Sequence, residues 1–249
     1  MGPGGLRSLQ LSALVEAISH LTRALDQTAS LPPTPNLRRE QIKLQVALIA
    51  PLLHVKGFAA PEAKAATEHA SLLIERATAL GEPPDDPLAL FSVLYGFAIA
   101  QFNAFDGDAM RALAQQFLAL AEKQKSKIPL MIGHRLTGHS LLMTGDIVQA
   151  RAHYDLSLTL YDPAEHRPLA ARFGVDARGT ALSYRSIGLW LLGLPDASRR
   201  DAGEALREAR DMRAKSVSAL IVIAPGRSPI LTDAGFLAAW DAHDRVKLR

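Results

Sequence analysis

A glycine followed by small residues five and twelve positions later recurs along this 249-residue chain, and that spacing restricts the fold more than any other feature. Gly107 is followed by Ala112 and Ala119, Gly145 by Ala150 and Ser157, and Gly193 by Ser198 and Ala205. A fourth copy, shifted by one residue, has Gly57 with Ala63 and Ala70. Each glycine stands between two stretches of helical apolar periodicity. Two helices joined by a short turn approach closely only where their facing positions are small, and seven residues is two turns of one helical face. The pattern therefore predicts a chain of antiparallel helix pairs.

The rest of the sequence agrees with helices. Leu11, Leu14, Val15, Ile18, Leu21 and Leu25 lie on one face of a helix that the Leu31-Pro32-Pro33-Thr34-Pro35 stretch ends. A second helix is expected from about Leu37 to Val55, kinked or ended by Pro51. Further helices are expected at Pro61–Leu80, Leu88–Phe105, Asp108–Lys125, Pro129–Thr144, Asp146–Tyr161, Thr180–Leu192 and Asp196–Met212. Aromatic residues make up only 6% of the chain, so Leu, Ala, Ile and Val must build the core, a composition suited to close-packed helices. No alternating strand pattern occurs before residue 216. After Met212 the composition turns β-branched at Ser216–Ala224 and breaks at Pro225-Gly226-Arg227-Ser228-Pro229. The expected organisation is a helical repeat domain over residues 1–213 and an irregular cap or tail over residues 214–249.

The spacing resembles the tetratricopeptide repeat. Its clearest copy starts near Met131, with Gly138 at the small position of the first helix, Leu141, Gly145 at the turn, then Ile147, Ala150, Tyr154, Ser157 and Pro163. His134 stands where that family carries Trp, and the glycine separations exceed the usual 34-residue unit. Several longer stretches are similar to one kind of repeat region, found after a class III adenylate/guanylate cyclase domain and an AAA-type ATPase module in large bacterial signalling proteins. They are Ala17–Leu25, Leu31–Pro35, Lys56–Glu62, Leu160–Arg167 and Leu189–Ala197, in matching order over about residues 9 to 213. The sequence Gly174-Val175-Asp176-Ala177-Arg178-Gly179 departs from the glycine-rich loop of that family. The resemblance implies an all-α, right-handed α-solenoid of antiparallel helix pairs and neighbouring cyclase and ATPase modules as partners; a cytoplasmic setting is expected from the lack of cysteine and of a signal-peptide pattern at Met1–Leu6.

No phosphate-cradling Gly-x-x-x-x-Gly-Lys-[Ser/Thr] or Gly-x-Gly-x-x-Gly occurs. Gly138-His139-Ser140 lacks the second glycine and the strand of a nucleophile elbow. His134 and His139, five apart, sit about 140° around a helix and do not form an i, i+4 metal pair. Asp162 and His166 flank Pro163, and the expectation there is local hydrogen bonding. The absence of cysteine excludes thiolate nucleophiles, cysteine-ligated metals and disulfides, and suits a reducing compartment. A net charge of +3 argues against nucleic acid, and the mixed-sign run Arg199–Asp211 reads as a solvated helix face. Lys123, Lys125 and Lys127 follow a helix end, where cations suit the dipole. The longest apolar runs, Val46–Leu53 and Val217–Ala224, are too short to span a membrane.

The sequence therefore predicts no catalytic, cofactor or metal residues. The expected function is a non-catalytic regulatory module that binds a protein or peptide on the concave face lined by the first helix of each pair. Candidate residues on that face are Tyr95, Gln101 and Asn103, then His134, Arg135 and His139, then Tyr184 and Arg185. The alternatives are a truncated or frameshifted gene product without an independent role, and an unrecognised enzyme.

Overall fold

A computed structural model of the chain describes residues 3–57 and 60–213. The expectations for residues 214–249 lie outside the described residues. The described part is all-helical and contains no strand. Its long helices are α1 (Pro3–Ala29), α2 (Pro35–Lys56), α3 (Pro61–Ala79), α4 (Ala89–Asn103), α5 (Gly107–Gln124), α6 (Lys127–Met143) and α7 (Ile147–Leu160). A segment of short turns follows, made of α8 (Pro163–His166), a 3-10 turn (Arg167–Leu169) and α9 (Ala170–Phe173). The last two long helices are α10 (Ala177–Leu191) and α11 (Pro195–Arg213).

Local chemistry explains the helix starts. Thr34, Asp106, Asp146 and Asp176 each accept a hydrogen bond from the backbone N–H three residues on, satisfying a donor that the first turn leaves free. With Asp176 as its cap, α10 starts at Ala177, three residues before the expected Thr180. Pro51 neither ends nor replaces the last turn of α2, which runs on to Lys56 because Leu52 and Leu53 are both held in the core.

The helices pack in neighbouring pairs. Each long helix lies against its chain neighbours, except that α7 packs on α10 across the short-turn segment. The alternate helices α2, α4, α6 and α10 also touch one another in that order. One apolar core joins α2, α3 and α4 around Ile42, Ile49, Ala70 and Val93. A second joins α4, α5 and α6 around Phe91, Met110, Phe117 and Leu136. Ala150, Tyr154, Leu141 and Ala181 form a third between α6, α7 and α10.

The small-residue register needs one correction. Ala150, Ser157, Ser198 and Ala205 are buried at the helix interfaces, but Ala112 and Ala119 are exposed. The left-handed residue of the α4–α5 turn is Phe105, with φ 58°, in the place that Gly145 (φ 89°) and Gly193 (φ 76°) fill in later pairs. Counting from Gly107 starts two residues late, and two residues turn a helix by about 200°. The inward residues of α5 are Met110, Ala114, Phe117 and Ala121. Gly107 is small for another reason: a Cβ there would stand 2.7 Å from Cγ2 of Thr144, where the start of α5 crosses the end of α6. Gly138 likewise faces Tyr154 rather than Ala150, with the Tyr154 ring where a Cβ would go.

The short-turn segment folds back on the first half of the chain. α9 packs against α2 and α4. Its Arg172 donates through Nε to Ser92 Oγ at 2.8 Å and pairs with Asp86. Phe173 enters the core and stands edge-on to Tyr95, ring centroids 5.2 Å apart.

Candidate functional site

The eight residues expected on an open concave face do not share one surface. Tyr95, Arg135 and His139 are buried, at 2%, 1% and 2% relative exposure. They face inward because α9 brings Phe173 down over Tyr95 and because α6 lies between α5 and α7. Tyr184, on α10, is half-buried beside them. The structure thus collects four of the eight candidates into one interior cluster fed by α4, α6 and α10.

At its centre is the Arg135 guanidinium. It lies over the Tyr95 ring, 5.4 Å from the centroid, a cation–π arrangement. None of its three nitrogens has a hydrogen-bond partner among the described residues, and the Tyr95 hydroxyl is equally buried and unpartnered. His139 stacks at a tilt with Tyr184, centroids 4.3 Å apart, and Phe102 touches both rings at 5.5–5.6 Å. His139 Nδ1 shares a 2.6 Å hydrogen bond with the Tyr154 hydroxyl. Burial, then the Arg135 charge, holds His139 well below the usual imidazole range. Burial pushes the Tyr154 and Tyr184 hydroxyls up. The His139, Tyr154 and Tyr184 rings are therefore neutral near pH 7, and the charge that acts on them is that of the Arg135 guanidinium.

The remaining candidates make separate arrangements. His134 meets His153 of α7, Nδ1 to Nδ1, at 3.1 Å, and burial followed by the His153 charge lowers His134. Arg185 pairs with Asp201 through two hydrogen bonds of 2.6 and 3.0 Å and with Asp155 through one of 2.6 Å. These ties hold α10 to α11 and α7. Gln101 and Asn103 border a groove of about 260 Å³ between α3 and α4, with Lys64, Thr67 and Phe97 on its walls. Asp162 caps α8 by accepting from Ala164 N–H, and its own N–H donates to His166 Nδ1 at 2.7 Å. That pair is a local turn.

The sequence reading missed the closure of the cluster. Residues 163–173 fall between the expected helices Asp146–Tyr161 and Thr180–Leu192, and no periodicity marks a segment this short as a cover for a distant helix. The one available signal was Phe173, a large apolar residue between Arg172 and Gly174.

Among the described residues no three His, Asp or Glu side chains gather as a metal site would require, and no helix is long and apolar enough to cross a membrane. No protein-family model, curated protein or solved structure matches the chain.

Proposed function

We propose that the chain is a non-catalytic interaction module of stacked helix pairs, a right-handed tetratricopeptide-like solenoid that binds a protein or peptide and regulates it. The resemblance of residues 9–213 to repeat regions beside cyclase and ATPase modules makes such modules the partners to try first, in a cytoplasmic setting. What supports the reading is the packing: each helix rests on its chain neighbours while α2, α4, α6 and α10 follow one another in a row. A row of that kind offers one extended surface built from many short local contacts.

With Tyr95, Arg135 and His139 inside, the partner surface on this reading moves to the α3–α4 groove, where Gln101 and Asn103 meet Lys64 and Phe97. The test is affinity capture from the source cell with the full chain and with Lys64→Glu/Asn103→Arg. Both positions are exposed, so the fold should survive. The expected result is a defined partner held by the parent chain and at least tenfold depleted with the double variant. Equal capture by both would refute the groove as the contact. ATP turnover or cyclic nucleotide formation by the purified chain would overturn the non-catalytic reading.

A further inference from the structure

The interior cluster is hard to explain as packing alone. A buried cation is ordinarily paired, because taking an ion out of water costs several kcal/mol even after the protein relaxes. The other cationic side chains that hold this fold together obey the rule. Arg185 has Asp155 and Asp201, Arg178 has Glu204 and Glu208, Arg38 has Glu82, and Arg172 has Asp86. Arg135 is the most deeply buried of these arginines, yet it has no carboxylate partner among the described residues. The Tyr95 ring gives some compensation, but a ring face offers no acceptor to five N–H donors. A second donor, the Tyr95 hydroxyl, is left unmatched beside it.

We infer that the Arg135–Tyr95 pair, enclosed by His139, Tyr184 and Phe102 and roofed by Phe173 of α9, is a binding site for a small-molecule monocarboxylate. Three features select that class. The guanidinium fork matches two carboxylate oxygens in one plane, and the Tyr95 hydroxyl can add a third donor. The cluster carries one positive charge among neutral rings, so a single negative charge balances it and a phosphate dianion does not. The walls are aromatic, which suits an apolar or aromatic body behind the carboxylate. Burial to 1–2% exposure excludes a peptide laid across the surface, and because the donor atoms have no accessible surface in the closed fold, a compact ligand reaches them only when the Phe173 roof lifts. The inference is independent of the partner reading, since it rests on the interior and not on the α3–α4 groove.

The test is thermal unfolding of the full chain in sodium acetate, propionate and benzoate, each against sodium chloride and sodium phosphate at matched ionic strength. At a hundredfold excess over Kd, a carboxylate that binds only the folded chain should raise Tm by roughly 5–10 °C. Chloride and phosphate should give only the shift that the Arg135→Met variant also shows. Tyr95→Phe should keep the fold and weaken the carboxylate shift several-fold. Arg135→Lys, which retains charge and loses the fork, should weaken it at least tenfold. Isothermal calorimetry on the parent chain and Tyr95→Phe reads the same difference without relying on the stability of the arginine variants. No carboxylate-specific shift in the parent chain would overturn the inference. So would an equal shift from chloride, or a carboxylate shift that survives in both Arg135→Met and Tyr95→Phe.

Discussion

Gly138→Ala is the substitution whose cost the structure defines most closely. The added methyl would stand 2.8 Å from Tyr154 Cε1 and 3.0 Å from Cδ1 and Cζ. Carbon atoms settle at about 3.5–4.0 Å, so the ring must retreat by roughly 0.5–1 Å. Tyr154 is fully buried, and its hydroxyl is tied to His139 at 2.6 Å, so it has no free end to swing aside. Overpacking of this kind costs about 1–3 kcal/mol, and loss of the buried hydrogen bond would add about 1–3 more. Against this, alanine is better than glycine inside a helix by about 1 kcal/mol. The expected net destabilisation is about 2 kcal/mol, read as a lower urea midpoint at unchanged m-value. The decisive arm is a double-mutant cycle with Tyr154→Leu. With the ring gone, Gly138→Ala should become neutral or stabilise by up to about 1 kcal/mol. A neutral Gly138→Ala in the parent chain, or an equal cost in both backgrounds, would refute the close approach of α6 and α7.

Two further outcomes follow from the same geometry. Ala114→Leu and Ala121→Leu, at fully buried positions of α5, should each cost about 1–3 kcal/mol in urea denaturation, whereas Ala112→Leu and Ala119→Leu should stay within about 0.5 kcal/mol. The reverse ranking would restore the register counted from Gly107. Stability should fall as pH drops from 7.5 to 5.5. His134, His139, His153 and His166 are all lowered, chiefly by burial, so below about 6.5 the unfolded chain takes up protons that the folded chain refuses. His139→Phe should flatten that slope by close to one proton, and a stability that holds level or rises toward pH 5.5 would contradict the buried neutral imidazoles.

Helix number and pairing were legible in the sequence because apolar periodicity and turn residues are local signals. The register of α5 was not, because it hung on which residue occupies the left-handed turn position. A glycine two residues away drew the count, while the position itself holds Phe105, a bulky side chain seldom found at positive φ. The site was legible in part. Tyr95, Arg135, His139 and Tyr184 are four of the eight polar residues that the sequence places on first helices as an open concave face, and the structure turns these four inward. The covering of Tyr95 was hidden because it depends on α9 reaching back some eighty residues to Ser92 and Asp86, and no spacing rule carries that information.

That reach changes how the chain should melt. A stack of helix pairs in which each unit touches only the next behaves as a one-dimensional array, fraying from its ends and unfolding in parts. Arg172 and Phe173 join the region before α10 directly to α4, so the pair α4–α5 cannot open without releasing a segment that lies beyond the next pair, α6–α7. The link adds long-range closure to an otherwise local topology, which slows folding while binding the middle of the chain into one cooperative block. Hydrogen exchange should then find α4, α6 and α10 opening together, with α1 exchanging ahead of them.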